Sequence, residues 1–125
     1  MVNKIIIAFD LDDTLCKTPK NFETVERYKF CEPIKKNIKI LNKLFINGYY
    51  IKIYTARGIN SYKGDLKKIE KNLKQLTMSQ LKEWKVNYHE LIFGKQEYQL
   101  LIDDKAINVK DMKSYKNLLE KYLNK

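Results

Sequence analysis

Ile5-Ile6-Ile7-Ala8-Phe9-Asp10-Leu11-Asp12-Asp13-Thr14-Leu15 is the stretch on which the fold turns. Its first half, Ile5 to Phe9, is a continuous apolar run rich in β-branched residues. Such a run reads as a strand buried on both faces, which suits a parallel sheet. It is far too short to cross a bilayer. The strand ends at Asp10, and Asp12 and Asp13 follow at once. A buried strand that stops in carboxylates places charge at one end of a sheet, so the other strand ends become the positions to inspect.

From Pro33 the apolar period changes. Ile34, Ile38, Leu41, Leu44 and Phe45 fall on one face of a helix, which Asn47-Gly48 stops. Tyr49 to Tyr54 reads as a second strand, ending at Thr55. Gly58 to Gly64 reads as a loop, and Leu66, Ile69, Leu73 and Leu76 mark a second helix. Thr77, with Gln80 three residues on, resembles a capping box that opens a short third helix carrying Leu81 and Trp84. Leu91-Ile92-Phe93 is a short strand ending at Gly94-Lys95, and Gln99 to Ile102 is another, ending at Asp103-Asp104. Met112, Tyr115, Leu118, Leu119 and Tyr122 give a last helix its apolar face. Alternating strands and helices predict an α/β fold, a three-layer Rossmann-like doubly wound parallel sheet. The length, 125 residues, is that of one domain, spanning 1–125.

Composition narrows the classes further. Apolar types make up 44% of the chain, enough for a core. The net charge is +10, but all the basic residues except Arg27 and Arg57 are Lys, and they are spread along the helices. That distribution reads as a solvated Lys-rich surface rather than a nucleic-acid interface, although it favours an anionic substrate. Cys16 and Cys31 are the only cysteines and form no CxxC, so they read as free thiols and not as a zinc site. His89, the only histidine, reads as structural or exposed. No signal-peptide pattern opens the chain, so the expected compartment is the cytoplasm, with no membrane partner.

In a doubly wound sheet the ligand sits at the carboxyl ends of the strands. Those ends carry Asp10 and Asp12, then Thr55 with Arg57, then Lys95, then Asp103 and Asp104. Four carboxylates cannot share one spot fully ionised without a cation. An all-oxygen set without His or Cys suits Mg²⁺. A nearby Lys and a Thr hydroxyl offer a phosphate a positive charge and a donor. The pattern therefore points to Mg²⁺-assisted phosphoryl transfer.

At this point the sequence resembles the haloacid dehalogenase superfamily. Phe9 to Leu15 looks like its first motif, DxDxT after an apolar strand. Thr55, Lys95 and Asp103-Asp104 match the second, third and fourth motifs in order. The resemblance implies that Asp10 is the nucleophile, forming an aspartyl-phosphate, and that Asp12 is the general acid and then the base. It implies Mg²⁺ on Asp10, the Asp12 backbone carbonyl, Asp103 and Asp104. Thr55, the neighbouring backbone N–H groups at Ala56, and Arg57 would hold the phosphate, and Lys95 would neutralise it and restrain Asp10. Asp13 reads as a turn residue and Thr14 as a buttress of the loop.

Neither inter-motif gap has room for an independent cap, so a minimal core is expected, with an open site that another subunit could close. Thr55-Ala56-Arg57 and Asp103-Asp104-Lys105-Ala106-Ile107 are similar to small bacterial phosphatases encoded with capsule polysaccharide genes. That similarity implies a small phosphorylated sugar, polyol or amino alcohol as substrate. Lys17, Lys20, Arg27 and Tyr28 are the candidates for selecting it. The alternatives are a nucleic-acid 3′-phosphatase, a protein phosphatase and a phosphorelay receiver domain. The receiver has its motifs in a different order.

Overall fold

The computed structural model describes residues 4–20 and 24–123. Its sheet has three parallel strands, β1 (Ile6–Asp10), β4 (Tyr50–Thr55) and β5 (Glu90–Phe93), in the order β1-β4-β5. Between β1 and β4 lie a two-stranded antiparallel ribbon, β2 (Cys16–Lys17) with β3 (Glu32–Pro33), a 3₁₀ helix (Val25–Phe30) and helix α1 (Lys35–Ile46). Helix α2 (Leu66–Glu83) joins β4 to β5. The chain closes with a 3₁₀ turn (Val109–Asp111) and helix α3 (Tyr115–Leu118), which runs on as a wider turn to Leu123. No helix among the described residues is long and apolar enough to cross a membrane.

The register explains where the core sits. Ile7 pairs with Ile51, Phe9 with Ile53 and Thr55 with Phe93, so these residues share one face. Against that face pack Ile38, Leu41 and Leu44 of α1 and Leu81 of α2, together with Met112 and Leu118 near the C-terminus. Ile69 and Leu73 of α2 form a second cluster with Phe93, Ile59 and Tyr28. When strands advance in one direction, right-handed crossovers lie on one side of the sheet. The opposite face carries Ile6, Ala8, Tyr50, Lys52 and Tyr54. Ile6 is 51% exposed and Tyr54 38%.

Two expectations are corrected here. The first strand is not buried on both faces, and the second helical layer of a doubly wound sheet is not formed among the described residues. Both follow from the segment after β5. Gln99 to Ile102 is not a strand, and Leu100, Leu101 and Ile102 are 76%, 49% and 89% exposed. A parallel strand needs a crossover of about a dozen residues or more. The connection from Phe93 to Gln99 is much shorter than that, so the chain cannot return to begin a strand beside β1. β1 therefore remains an edge of the sheet.

The expected break in α2 is also absent. Thr77 and Gln80 are buried inside one continuous helix instead of capping a new one. The true cap is Asp65, whose side chain accepts from the backbone N–H groups of Lys67 and Lys68.

Candidate functional site

The turn after β1 is fixed by apolar anchors and one carbonyl. Leu11 and Leu15 are fully buried. The Leu11 carbonyl accepts from the N–H groups of Leu15 at 2.8 Å and Thr14 at 3.2 Å. Asp13 takes the left-handed conformation at φ 63°, as a turn residue would, and its carboxylate pairs with Lys20 at 2.9 Å. The Thr14 backbone carbonyl accepts from Asn37 of α1 at 2.8 Å, which ties the turn to that helix. So held, the turn presents Asp10 and Asp12 to one side.

Both carboxylates line an open cavity of about 530 Å³ at the carboxyl ends of the strands. That volume is ordinary for a small-molecule site. Lys95 reaches in from the end of β5, with Nζ 3.2 Å from Asp10 Oδ1, and its backbone N–H donates to the Thr55 carbonyl at 3.1 Å. Burial raises the pKa of Asp10 above its ordinary 3.8, against the opposing pull of Lys95. Burial also disfavours the Lys95 charge, but Asp10 and Tyr98 outweigh it, and the net shift is upward. Ala56, Thr18, Lys20, Arg27 and Tyr28 stand on the same cavity wall.

The Arg57 side chain is fully committed among the described residues. It is 1% exposed. Nε lies 3.0 Å from Asp12 Oδ2 and 3.2 Å from Oδ1, and Nη2 lies 3.0 Å from Oδ1. Nη1 donates to Gln80 Oε1 at 2.7 Å and Thr77 Oγ1 at 3.1 Å. Nη2 also points at Cys31 Sγ at 3.4 Å and Cys16 Sγ at 3.8 Å. The guanidinium stacks over the Tyr28 ring at 4.8 Å. Burial disfavours its charge, but Asp12 more than compensates, and its pKa rises. Gly58, which follows it, has φ +77°, and a Cβ there would meet Leu73 Cδ1 at 2.6 Å. Only glycine serves that turn without strain.

Asp12 Oδ1 collects further donors, with Thr18 Oγ1 at 2.6 Å and the thiols of Cys16 at 3.6 Å and Cys31 at 3.7 Å. One ligand atom from each of Asp12, Cys16 and Cys31 lies within 4.8 Å of the others, so this group could hold a metal ion. The Arg57 guanidinium touches all three and is the cation seated there. The hydrogen bond with Cys16 lowers the Cys31 pKa to about 7, with help from Thr18 and Arg57. That same bond, together with burial, raises Cys16.

The structure thus brings Asp10, Asp12, Ala56, Arg57 and Lys95 together and leaves three expected residues elsewhere. Thr55 is fully buried and off the cavity wall, and its hydroxyl accepts from the Arg57 N–H at 3.1 Å. It therefore fixes the turn after β4, behind the cavity wall. Asp103 and Asp104 are exposed and do not line the cavity. Asp103 accepts from the Lys105 N–H at 2.7 Å, and Asp104 pairs with Lys105 Nζ at 3.3 Å. The expected four-carboxylate set is not assembled, because the strand meant to deliver the second pair is missing. Arg57 was expected to contact phosphate, but Asp12, Thr77, Gln80 and Cys31 take its donors. His89 is structural, as expected. Its Nδ1 accepts from the Ile51 N–H at 3.0 Å, and its ring stacks between Phe45 and Tyr50.

Sequence reasoning missed Thr18, Cys31, Thr77 and Gln80 as parts of this site. One available signal was an Arg placed directly after a buried strand. Such a charge needs a fixed set of acceptors.

No protein-family model matches the chain, and no curated protein matches it. Among solved structures, it is similar to the crystal structure of an MCSG target from Vibrio cholerae, whose name states no activity. The two share 28% identity at a TM-score of 0.74, over 85% of each chain. The likeness supports the α/β architecture.

Proposed function

We propose that this chain is a phosphatase of the haloacid dehalogenase type that hydrolyses small phosphomonoesters. The observation that carries the reading is the pairing of two differently held carboxylates on one cavity wall. Asp10 faces the cavity beside Lys95, and Asp12 is clamped by a buried Arg57. Asp10 attacks phosphorus in line, the ester P–O bond breaks, and an aspartyl-phosphate forms. Asp12 gives a proton to the departing alkoxide and then takes one from the water that cleaves the intermediate. Oδ2 is the oxygen for this work, because its one donor is Arg57 Nε, whereas Oδ1 is crowded. Lys95 and the Ala56 N–H on the cavity wall offset the phosphoryl charge.

The site would hold Mg²⁺ through Asp10, a half-buried carboxylate whose charge Lys95 balances only in part. Mg²⁺ is commonly held by one or two carboxylates together with waters and substrate phosphate. When bound, it would neutralise the phosphoryl oxygens. Asp103 and Asp104 lie outside this set.

The resemblance to capsule-associated phosphatases points to a sugar, polyol or amino-alcohol phosphate from surface-polysaccharide synthesis. We place the chain as a Rossmann-like core without a cap. The partly exposed sheet face and the β1 edge left unpaired among the described residues point to a homo-oligomer, since exposed edges and apolar patches recruit partners. The test is phosphate release from a panel of such compounds with Mg²⁺ or EDTA, beside Asp10→Asn and Asp12→Asn. Mg²⁺-dependent turnover that Asp10→Asn abolishes is expected. Equal release by wild type and Asp10→Asn would end the reading.

A further inference from the structure

The antiparallel ribbon pairs Cys16 with Pro33 and Lys17 with Glu32. Continued by one step, that register sets Thr18 opposite Cys31, and Thr18 Oγ1 does lie 3.3 Å from Cys31 Sγ. Alternation then puts Cys16 and Cys31 on the same face of the ribbon as diagonal neighbours. Their sulfurs lie within 4.8 Å of each other. They are the only cysteines in the chain, so neither has another intramolecular partner.

The two thiols differ in setting. Cys16 is fully buried, and Cys31 is half-buried. Thr18, Tyr28 and Arg57, which surround Cys31, all reach the cavity wall. The guanidinium that touches Cys31 favours negative charge on that sulfur, the form that attacks oxidants.

We propose that Cys16 and Cys31 are a reversible oxidation site for peroxide, closing to a disulfide that disarms Asp12. The chemistry balances. The Cys31 thiolate attacks one peroxide oxygen, an S–O bond forms, the O–O bond breaks, and the departing hydroxide takes a proton to become water. The Cys16 sulfur gives up its proton and attacks Cys31, the S–S bond forms, and the sulfenic hydroxyl leaves with that proton as a second water. A dithiol reductant restores both thiols by exchange.

The effect on the site follows from the contacts. Both thiols donate to Asp12 Oδ1, and oxidation removes both donors. A disulfide also needs the sulfurs much closer than a hydrogen bond does. The ribbon must shift to bring a diagonal pair together, and it carries Thr18, the closest donor to Asp12. The consequence for turnover rests on the role given to Asp12 above, whereas disulfide formation does not.

The reduced protein is treated with hydrogen peroxide, and free thiols are then alkylated and the intact mass read. The expected result is loss of two hydrogens with no alkylation, one peptide linking Cys16 to Cys31, and reversal by dithiothreitol. Cys16→Ser should stop at a sulfenic acid on Cys31 that dimedone traps. Two alkylated thiols after peroxide, or a disulfide only between chains, would overturn the proposal whatever the enzyme does. If the reduced protein releases phosphate, oxidation should cut the rate about a hundredfold, the scale of an ångström-sized displacement in a catalytic constellation. Cys31→Ser should retain its own untreated rate through the same treatment. A disulfide with an unchanged rate would overturn the switching role. A protein inactive when reduced would count against the phosphatase reading alone.

Discussion

Arg57→Ala tests whether one buried guanidinium holds the site together. The substitution takes the donor from three buried or half-buried oxygens at once, namely Oδ2 of Asp12, whose side chain is 22% exposed, Thr77 Oγ1 and Gln80 Oε1. Removing one partner of a buried ion pair costs about 3–5 kcal/mol. An orphaned buried amide adds about 1–3 kcal/mol more. These terms overlap, because water can enter the vacated volume and reach Asp12. A loss of about 4 kcal/mol is therefore expected, a large share of the roughly 5–15 kcal/mol a domain has. For a chain of this size that lowers the melting temperature by about 15 °C. Urea denaturation at neutral pH would measure it. Arg57→Lys should recover part of the loss, since an ammonium can reach Asp12 but cannot fork to Thr77 and Gln80 as well. In a double-mutant cycle, Asp12→Ala with Arg57→Ala should cost less than the two single losses added together, because the second change removes the orphan left by the first. Arg57→Ala within about 0.5 kcal/mol of wild type, the range of a plain surface substitution, would refute the reasoning.

Three further expectations follow from the same geometry. Burial makes Asp10 a weaker acid than its ordinary 3.8, so in metal-free protein its carboxyl carbon should titrate above that value by NMR. Lys95 lowers the Asp10 pKa, so Lys95→Met should move the titration higher still, and a downward move would reverse the assigned sign. The open β1 edge and the exposed Leu100, Leu101 and Ile102 should drive self-association. Light scattering should show a mass that rises with concentration and falls back to monomer in Leu101→Lys, whereas a monomer at every concentration would exclude it. Thr55→Val keeps the shape of a fully buried side chain but loses the acceptor for the Arg57 N–H. It should destabilise by about 1–3 kcal/mol, the cost of an orphaned buried donor, and an unchanged urea midpoint would remove Thr55 from the framework of the turn.

What the sequence made legible was local, and what it hid was set by distant pairing. β4 could be read because Ile51 and Ile53 alternate with polar or aromatic neighbours, and they do face the core. α1 could be read from its apolar stripe and its Asn-Gly stop. Asp10, Asp12 and Lys95 could be placed because strand ends in a parallel sheet share one side. The residues from Gln99 to Ile102 deceived because an apolar run before an acidic pair looks the same whether or not the chain can return to the sheet. Connection length decided it, and periodicity does not report connection length. Thr77 and Gln80 deceived for a related reason. A capping box is a local pattern, but these side chains answer to Arg57, more than five helical turns' worth of chain away in sequence and adjacent only in space.

The same contrast explains why Arg57 is committed to Asp12 and not to the cavity. A phosphate-binding arginine must keep donors free for a ligand that comes and goes. Here the fork is filled by Asp12, Thr77, Gln80 and Cys31, and Gln80 in turn donates to the Tyr28 carbonyl at 2.6 Å. One guanidinium thereby ties the turn after β1, the turn after β4, the buried face of α2 and the segment carrying Tyr28. Such a centre is rigid only when every member is satisfied, and no described buried side-chain polar atom lacks a partner. A carboxylate fixed this way keeps one orientation beside the open cavity. On the proposed phosphatase reading, selection among substrates falls to the wall that Arg57 does not immobilise, where Lys20 is exposed and Gln96 and Tyr98 line the opening.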